Sequence, residues 1–371
     1  MNQGAGGGRR VADRLRWLAY GPRLAQLVVT RRCNLDCGYC NEFDKTSPPV
    51  PARTVMRWID RLAALRCRCL ELTGGETLLH PEIVRLVRYG SSLGFAERWI
   101  ITNGFLLSSR LIAGLNDAGL THLQISVDGV AANATTVKTL LPLRRKMEML
   151  AAQARFTVQV NAVLGAGDPA EAVEVARCAR RLGFVPRVSI LHDGLGAMIA
   201  DERGRQALGQ LQRAVGARWE ESCDYRARLL REGRAEFKCR AGARYLYVDE
   251  FGLVNWCSQQ RGVFTRPLLA YGWDDLREQF YTRKPCAPTC TVGCVRTAGR
   301  FDEWRRQSIE RAAPPRAAAV NEGTLIPAES LRPRTPAPAR RSQAAWRLER
   351  SRQSKTSQRT AVKVPVKSSP R

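Results

Sequence analysis

Residues 31–42 read RRCNLDCGYCNE and set Cys33, Cys37 and Cys40 in the spacing C-x3-C-x2-C. Iron–sulfur clusters are held mostly by cysteine thiolates, and a cubic four-iron cluster has four corners to ligate. Three closely spaced thiolates fill three corners and leave the fourth iron an open valence, which suits a metal that must bind something other than protein. Two readings compete with this one: a zinc knuckle, and three buried structural thiols. Zinc favours four ligands closed by paired Cys or His, and no Cys or His follows soon enough to complete such a set locally. The cluster reading is preferred.

Immediately before this stretch lies LAQLVVT (24–30), the first of six short apolar runs. The others are CRCLELT (67–73), RWIIT (98–102), THLQISV (121–127), FTVQVNAVL (156–164) and VPRVSIL (185–191). Amphipathic helical patterns lie between them, near 51–64, 81–93, 108–118, 134–154 and 168–182. Near-continuous apolar strands alternating with helices predict an α/β fold, a parallel sheet covered on one face. Six such units make a partial (β/α)6 TIM-like barrel. In such sheets chemistry collects where the strands end.

The strand ends are therefore the candidate site. Gly74-Gly75-Glu76 follows the second run, Thr102-Asn103-Gly104 the third, and Ser126-Val127-Asp128-Gly129 the fourth. Asn161 and Gly165 close the fifth, and His192-Asp193 the sixth. Glycine lets a backbone approach a ligand closely, and a carboxylate accepts from an ammonium. Asn-Gly and Asp-Gly also form ordinary turns, and a lone histidine such as His192 is more often structural than catalytic. His80 and His122 carry no assigned role, and Cys67, Cys69, Cys178 and Cys223 read as small core hydrophobes.

Residues 201–232 continue as a polar, arginine-rich helical pattern. Cys239 then leads into ARYLYVDEFGLVNWC, where YLYVD and LVNWC predict a hairpin about Gly252 that brings Cys239 and Cys257 together. A helical piece, WDDLREQF (273–280), precedes KPCAPTCTVGC, which supplies Cys286, Cys290 and Cys294. These five thiols are one more than a single four-iron cluster needs, and a structural zinc site is the alternative use. Which of Cys286, Cys290 and Cys294 is spare stays open.

The cysteine triad with Tyr39 before its last member, the Gly-Gly-Glu loop after the second strand, and the C-terminal cysteines together resemble the radical S-adenosylmethionine (SAM) superfamily over roughly residues 22–300. The resemblance implies that SAM chelates the open iron of a [4Fe-4S] cluster on Cys33, Cys37 and Cys40, and that reductive cleavage yields a 5′-deoxyadenosyl radical for C–H activation. It implies that Gly74, Gly75 and Glu76 meet the methionyl amine. Thr102, Asn103, Ser126 and Asp128 would line the ribose and carboxylate, and Asn161 and His192 would reach the ribose and adenine, with Tyr39 also at the cofactor. The segment from Cys239 resembles a twitch or SPASM extension, a small β-hairpin-plus-helix domain holding one auxiliary [4Fe-4S] cluster. A full two-cluster extension normally has more cysteines. After SVDG, peptide-modifying relatives often continue with an HDxxRG-like run, whereas this chain reads VAANATTVKTL.

These readings divide the chain into a lead-in (1–20), a core barrel (21–232), an auxiliary cluster domain (233–305) and a disordered basic tail (312–371), the last Pro-, Ala-, Ser- and Arg-rich. The net charge is +26, mostly from arginine. It suggests an anionic partner, nucleic acid among them, but no aromatic-interleaved basic stripe accompanies it. A basic, zinc-stabilised nucleic-acid-binding protein is the second function carried forward. Arg31 and Arg32 would attract the SAM carboxylate or an acidic flavodoxin- or ferredoxin-like reductant. Clustered rather than scattered cysteines point to metal rather than disulfides. No signal peptide or membrane span is expected, and the expected location is cytoplasmic. The substrate is unknown, a peptide or protein being favoured over a small molecule.

Overall fold

The computed structural model describes residues 14–191, 206, 210 and 220–309. The expected basic tail, most of the helical pattern at 201–219 and His192 lie outside the described residues. A helix at 14–20 (α1) leads into β1 (Leu24–Thr30). There follow α2 (Ala52–Ala64), β2 (Cys69–Gly74), α3 (Ile83–Ser92), β3 (Glu97–Thr102), α4 (Ser109–Asp117), β4 (His122–Ser126), α5 (Leu140–Gln153), β5 (Thr157–Leu164), α6 (Pro169–Arg181) and β6 (Val185–Ile190). All six strands run parallel, each paired with the next.

Local chemistry explains most boundaries. Ala52, Val55, Trp58, Ile59 and Leu62 recur at helical spacing and are the buried face of α2. Ser108 accepts a bond from the Leu111 amide at the start of α4, and Asp168 does the same for Ala170 at the start of α6, with Pro169 in the first turn. The helix expected from residue 134 begins only at Leu140. Asn133 Oδ1 accepts from the amides of Thr135 and Thr136, and this side-chain turn holds the backbone out of the helix.

The strands are not apolar on both faces. Ala25, Leu27, Val29, Leu70, Leu72, Ile100, Leu123, Ile125, Val158, Val160 and Ala162 belong to the core. In parallel register, residues side by side share a face, and the opposite row runs Gln26, Glu71, Trp99, His122 across four strands. A second row runs Ser126, Asn161, Arg187. One face is thus polar, which the run-by-run reading did not anticipate.

Beyond the core lie α7 (Glu220–Glu232), β7 (Tyr245–Val248), β8 (Leu253–Asn255), β9 (Arg266–Pro267), α8 (Trp273–Tyr281) and α9 (Gly293–Gly299). The hairpin is present as expected, but it does not stand alone. β7 pairs parallel with β1, extending one sheet in the order β6-β5-β4-β3-β2-β1-β7-β8-β9. Gly252 turns the hairpin with φ +77°, and a Cβ there would lie 2.6 Å from the Trp58 ring. Among the described residues no helix is long and apolar enough to cross a membrane.

Candidate active site

The thiol-bearing loop leaves the carboxyl end of β1 and returns on itself. The Cys33 amide bonds the Asp44 carbonyl at 2.9 Å and the Asp44 amide bonds that of Arg31 at 2.8 Å, while Asp44 collects the amides of Thr46 and Ser47. Within the loop the Cys40 amide bonds the Cys37 carbonyl at 3.0 Å. Burial raises the thiol pKa of Cys33 and of Cys40, opposed at Cys40 by the Glu42 backbone and the Lys138 ammonium. Thiols held up in this way need a metal or a cation to become thiolates.

Gly74 and Gly75 pack against this loop. A Cβ on Gly74, whose φ is +151°, would lie 2.0 Å from the Thr30 carbonyl oxygen, and one on Gly75 would lie 2.3 Å from that of Arg31. Their smallness lets β2 end directly against the backbone that carries the cysteines. Glu76 is fully buried: Oε1 accepts from Thr102 Oγ1 at 2.6 Å and the Leu78 amide at 3.0 Å, and Oε2 from the Asn103 amide at 2.7 Å. Burial raises its pKa, against those hydrogen bonds. A carboxylate has about four acceptor positions, so one on Oε2 is left. Asn103 Nδ2 donates to Asn34 Oδ1 at 2.8 Å and lies 3.9 Å from Cys33 Sγ.

Beneath the loop, Tyr39 donates to Asp128 Oδ2 at 2.6 Å, as does Thr136 Oγ1 at 3.0 Å. Lys138 Nζ donates to the Tyr39 hydroxyl at 2.5 Å and lies 3.3 Å from Asp128 Oδ2. Thr136 Oγ1 lies 3.7 Å from Cys37 Sγ, and the Gly38 amide bonds the Thr135 carbonyl at 2.9 Å. The Lys138 pKa is pulled down by burial, but Asp128 and then the neighbouring thiols outweigh this and leave it raised. Burial, then Asp128, raises that of Tyr39. Asp128 Oδ1 is buried without a partner, an acceptor in want of a donor. Thr136 and Lys138 were missed in the sequence. Their signal was the stretch VAANATTVKTL that departs from the relatives' pattern.

Of the remaining candidates, Ser126 and Asn161 stand side by side on the polar face, with Ser189 Oγ donating to Asn161 Oδ1 at 2.9 Å. Deeper on that face Gln26 donates to Glu71, whose pKa burial pushes up to about 7. Arg187, next to Asn161, acts on Glu71 electrostatically. The other histidines are structural: His80 Nε2 bonds the Val50 carbonyl at 2.9 Å, and His122 stacks on Trp99 with centroids 4.0 Å apart. Cys67 and Cys69 are buried as expected and Cys178 is half-buried.

The C-terminal thiols form a second set. Cys257 is raised by burial and then by Cys290, Cys239 and Cys286; Cys290 by burial and then by Cys239, with Cys286 and Cys294 also contributing. Cys294, within reach of Cys290, also lies beside the Tyr245 hydroxyl and feels Glu71. Lys284, buried near Cys239, has its pKa pushed down to about 7 by burial. Among the described residues no three His, Cys, Asp or Glu side chains gather closely enough around one point to hold a single ion. A four-iron cluster asks for something else, one thiolate for each iron around a cube.

Residues 27–197 match the sequence profile of the Radical SAM superfamily. An AdoMet-dependent heme synthase from Methanosarcina barkeri is 31% identical over 173 residues, covering 44% of this chain and 49% of that protein. A PqqA peptide cyclase from Methylorubrum extorquens is 31% identical over 171 residues, covering 44% of each. The chain thus spans less than half the length of these relatives. The crystal structure of Streptococcus suis SuiB bound to precursor peptide SuiA superposes with a TM-score of 0.57 at 14% identity, covering 74% of this chain and 69% of that one. At that identity the likeness concerns the fold.

Proposed function

Residues 27–197 of this chain are a radical SAM domain, and we propose that the protein cleaves S-adenosylmethionine reductively to activate a C–H bond of a peptide or protein. When bound, a four-iron cluster and SAM supply the electron that splits the C5′–S bond and the 5′-deoxyadenosyl radical that takes the hydrogen atom. The single observation that carries the reading is the meeting, at the carboxyl ends of β1 to β4, of the thiol loop with Glu76, Asn103 and Asp128.

In this reading Cys33, Cys37 and Cys40 hold three corners of the cluster. Glu76 offers its remaining acceptor position to the methionyl ammonium, and its three existing hydrogen bonds fix where that position points. Asp128 Oδ1, buried and unpartnered, is of the type that accepts from a ribose hydroxyl. Asn103, Ser126 and Asn161 line the same end. Tyr39, Thr136 and Lys138 brace the loop from below. Gly74 and Gly75 serve the approach of β2 to the loop. Cys239, Cys257, Cys286 and Cys290 hold an auxiliary cluster, and Cys294 is the thiol left over, beside Tyr245.

A peptide or protein substrate is supported by two of the similar proteins, the PqqA peptide cyclase and the SuiB structure with its precursor peptide. The polar face of the sheet, with amide, hydroxyl and charged side chains, offers the donors and acceptors that a peptide backbone needs. A flavodoxin- or ferredoxin-like protein would deliver the electron in the cytoplasm.

Anaerobic reconstitution tests the reading through iron and sulfide content, electron paramagnetic resonance with and without SAM, and a 5′-deoxyadenosine assay. About eight irons per chain are expected for two four-iron clusters. Alanine at Cys33, Cys37 and Cys40 is expected to abolish deoxyadenosine formation and leave the second centre. Zinc in place of iron, with no deoxyadenosine, would favour the basic zinc-stabilised binding protein.

A further inference from the structure

The loop between β1 and α2 carries charges as well as thiols, and their partners lie on the hairpin. Glu42 Oε2 accepts from Arg31 Nη1 at 3.0 Å and from the Tyr247 hydroxyl at 2.5 Å. Arg261 Nη1 is 3.7 Å from the same oxygen, and Arg261 Nη2 is 2.8 Å from each oxygen of Glu250. Arg31 Nε is 3.8 Å from Glu250 Oε1, which closes the figure. The charges alternate around a four-membered ring: Glu42, Arg31, Glu250, Arg261.

The placement of the ring matters more than its charge. Arg31 stands two residues before Cys33 and Glu42 two residues after Cys40, so the loop's contributions bracket the three cysteines. Glu250 sits in the turn between β7 and β8, and Arg261 follows Cys257. A further bond crosses the same boundary, Asn41 Nδ2 to Gln259 Oε1 at 3.4 Å. Side-chain exposures of 16% for Arg31, 21% for Glu42, 17% for Glu250 and 26% for Arg261 set the ring apart from a solvated surface pair. Backbone bonds close the loop on itself between Arg31 and Asp44, and the ring adds the side-chain ties that fasten it to the hairpin. Arg31, expected to attract SAM or a reductant, is committed to two carboxylates instead.

We infer that Glu250 and Arg261 are positioning residues for the thiol loop: the hairpin holds both ends of the cysteine triad at a set spacing through this ring. Because the ring is neutral overall, it fixes the loop without adding net charge beside the thiols. The inference rests on the proposed ligand role of Cys33, Cys37 and Cys40, and its test separates the two.

The full chain would be compared with Glu250→Gln, Arg261→Ala and Arg261→Lys. In reconstituted protein, chelator is expected to strip the SAM-responsive paramagnetic signal about threefold to tenfold faster in Glu250→Gln and Arg261→Ala. The second centre's signal should keep the parent rate, and Arg261→Lys should recover part of the loss, keeping the charge but not the two-pronged contact. In the reduced, metal-free full chain, site-resolved alkylation should rise at Cys33, Cys37 and Cys40 and stay constant at Cys178. Parent stripping rates and parent alkylation in both Glu250→Gln and Arg261→Ala would overturn the inference. Absence of any SAM-responsive signal from the parent would overturn the proposed function instead, and the alkylation pattern would still decide whether the ring holds the loop. Glu250→Gln is close in shape to the parent and keeps the comparison open should Arg261→Ala fail to fold.

Discussion

Glu71 shows what a single side chain can contribute against the fold. Its carboxyl is buried, accepts from Gln26, and has its pKa raised from 4.5 to about 7 by burial. A group whose pKa is higher folded than unfolded favours the fold below the unfolded value and loses that contribution as pH rises through the folded one. Glu71→Gln should therefore match the parent near pH 4 and be more stable at pH 8 by about 3 kcal/mol, from about 1.4 kcal/mol per pKa unit. Urea denaturation at the two pH values checks this. Asp128 is a buried carboxylate with a cation at 3.3 Å. Asp128→Ala strands the Lys138 ammonium and should cost about 3 kcal/mol, whereas adding Lys138→Met should recover part of it; a double-mutant cycle reads the coupling.

Among the elements, the junction of β1 and β2 depends on contact at backbone distance. Gly74→Ala would drive a Cβ into the Thr30 carbonyl at 2.0 Å from a backbone already at φ +151°, and should cost about 3 kcal/mol or more. Gly94 is the control: its φ is +77° but nothing lies within 4 Å of the added atom. Gly94→Ala should cost only the conformational penalty, about 1 kcal/mol. The difference in urea midpoints separates the close approach from the dihedral. The loop after β4 makes a related point. Its turn at Asn133 withholds residues 134–139 from α5, and that irregular stretch is what presents Thr136 and Lys138 to the thiol loop.

Across the molecule, Arg244 joins distant parts of the chain. It is almost fully buried, takes carbonyls of Trp17, Leu18, Ala19 and Gly21 at the end of α1, and pairs with Asp302 at 2.8 Å. A guanidinium there meets the negative end of the helix and a carboxylate together. Arg244→Ala leaves those carbonyls and part of Asp302 unsatisfied and should destabilise the fold by about 3 kcal/mol. Amide exchange at 17–21 should accelerate more than in β1 to β4, since the loss is concentrated at that end.

The six runs and the Gly-Gly-Glu turn were legible because each rests on neighbours in the chain: short apolar runs set between helical patterns, and a backbone that only glycine allows. The strands start and stop within a few residues of their expected places for the same reason. What could not be read there needed partners far away in number. Gln259 meets Asn41 across 218 residues, and Arg244 meets Gly21 across 223. The pairing of β7 with β1, the commitment of Arg31 to Glu250, and the polar row from Gln26 to His122 arise only when the sheet is assembled, since register and side-by-side placement are properties of strands brought together, and no local pattern of residues encodes them.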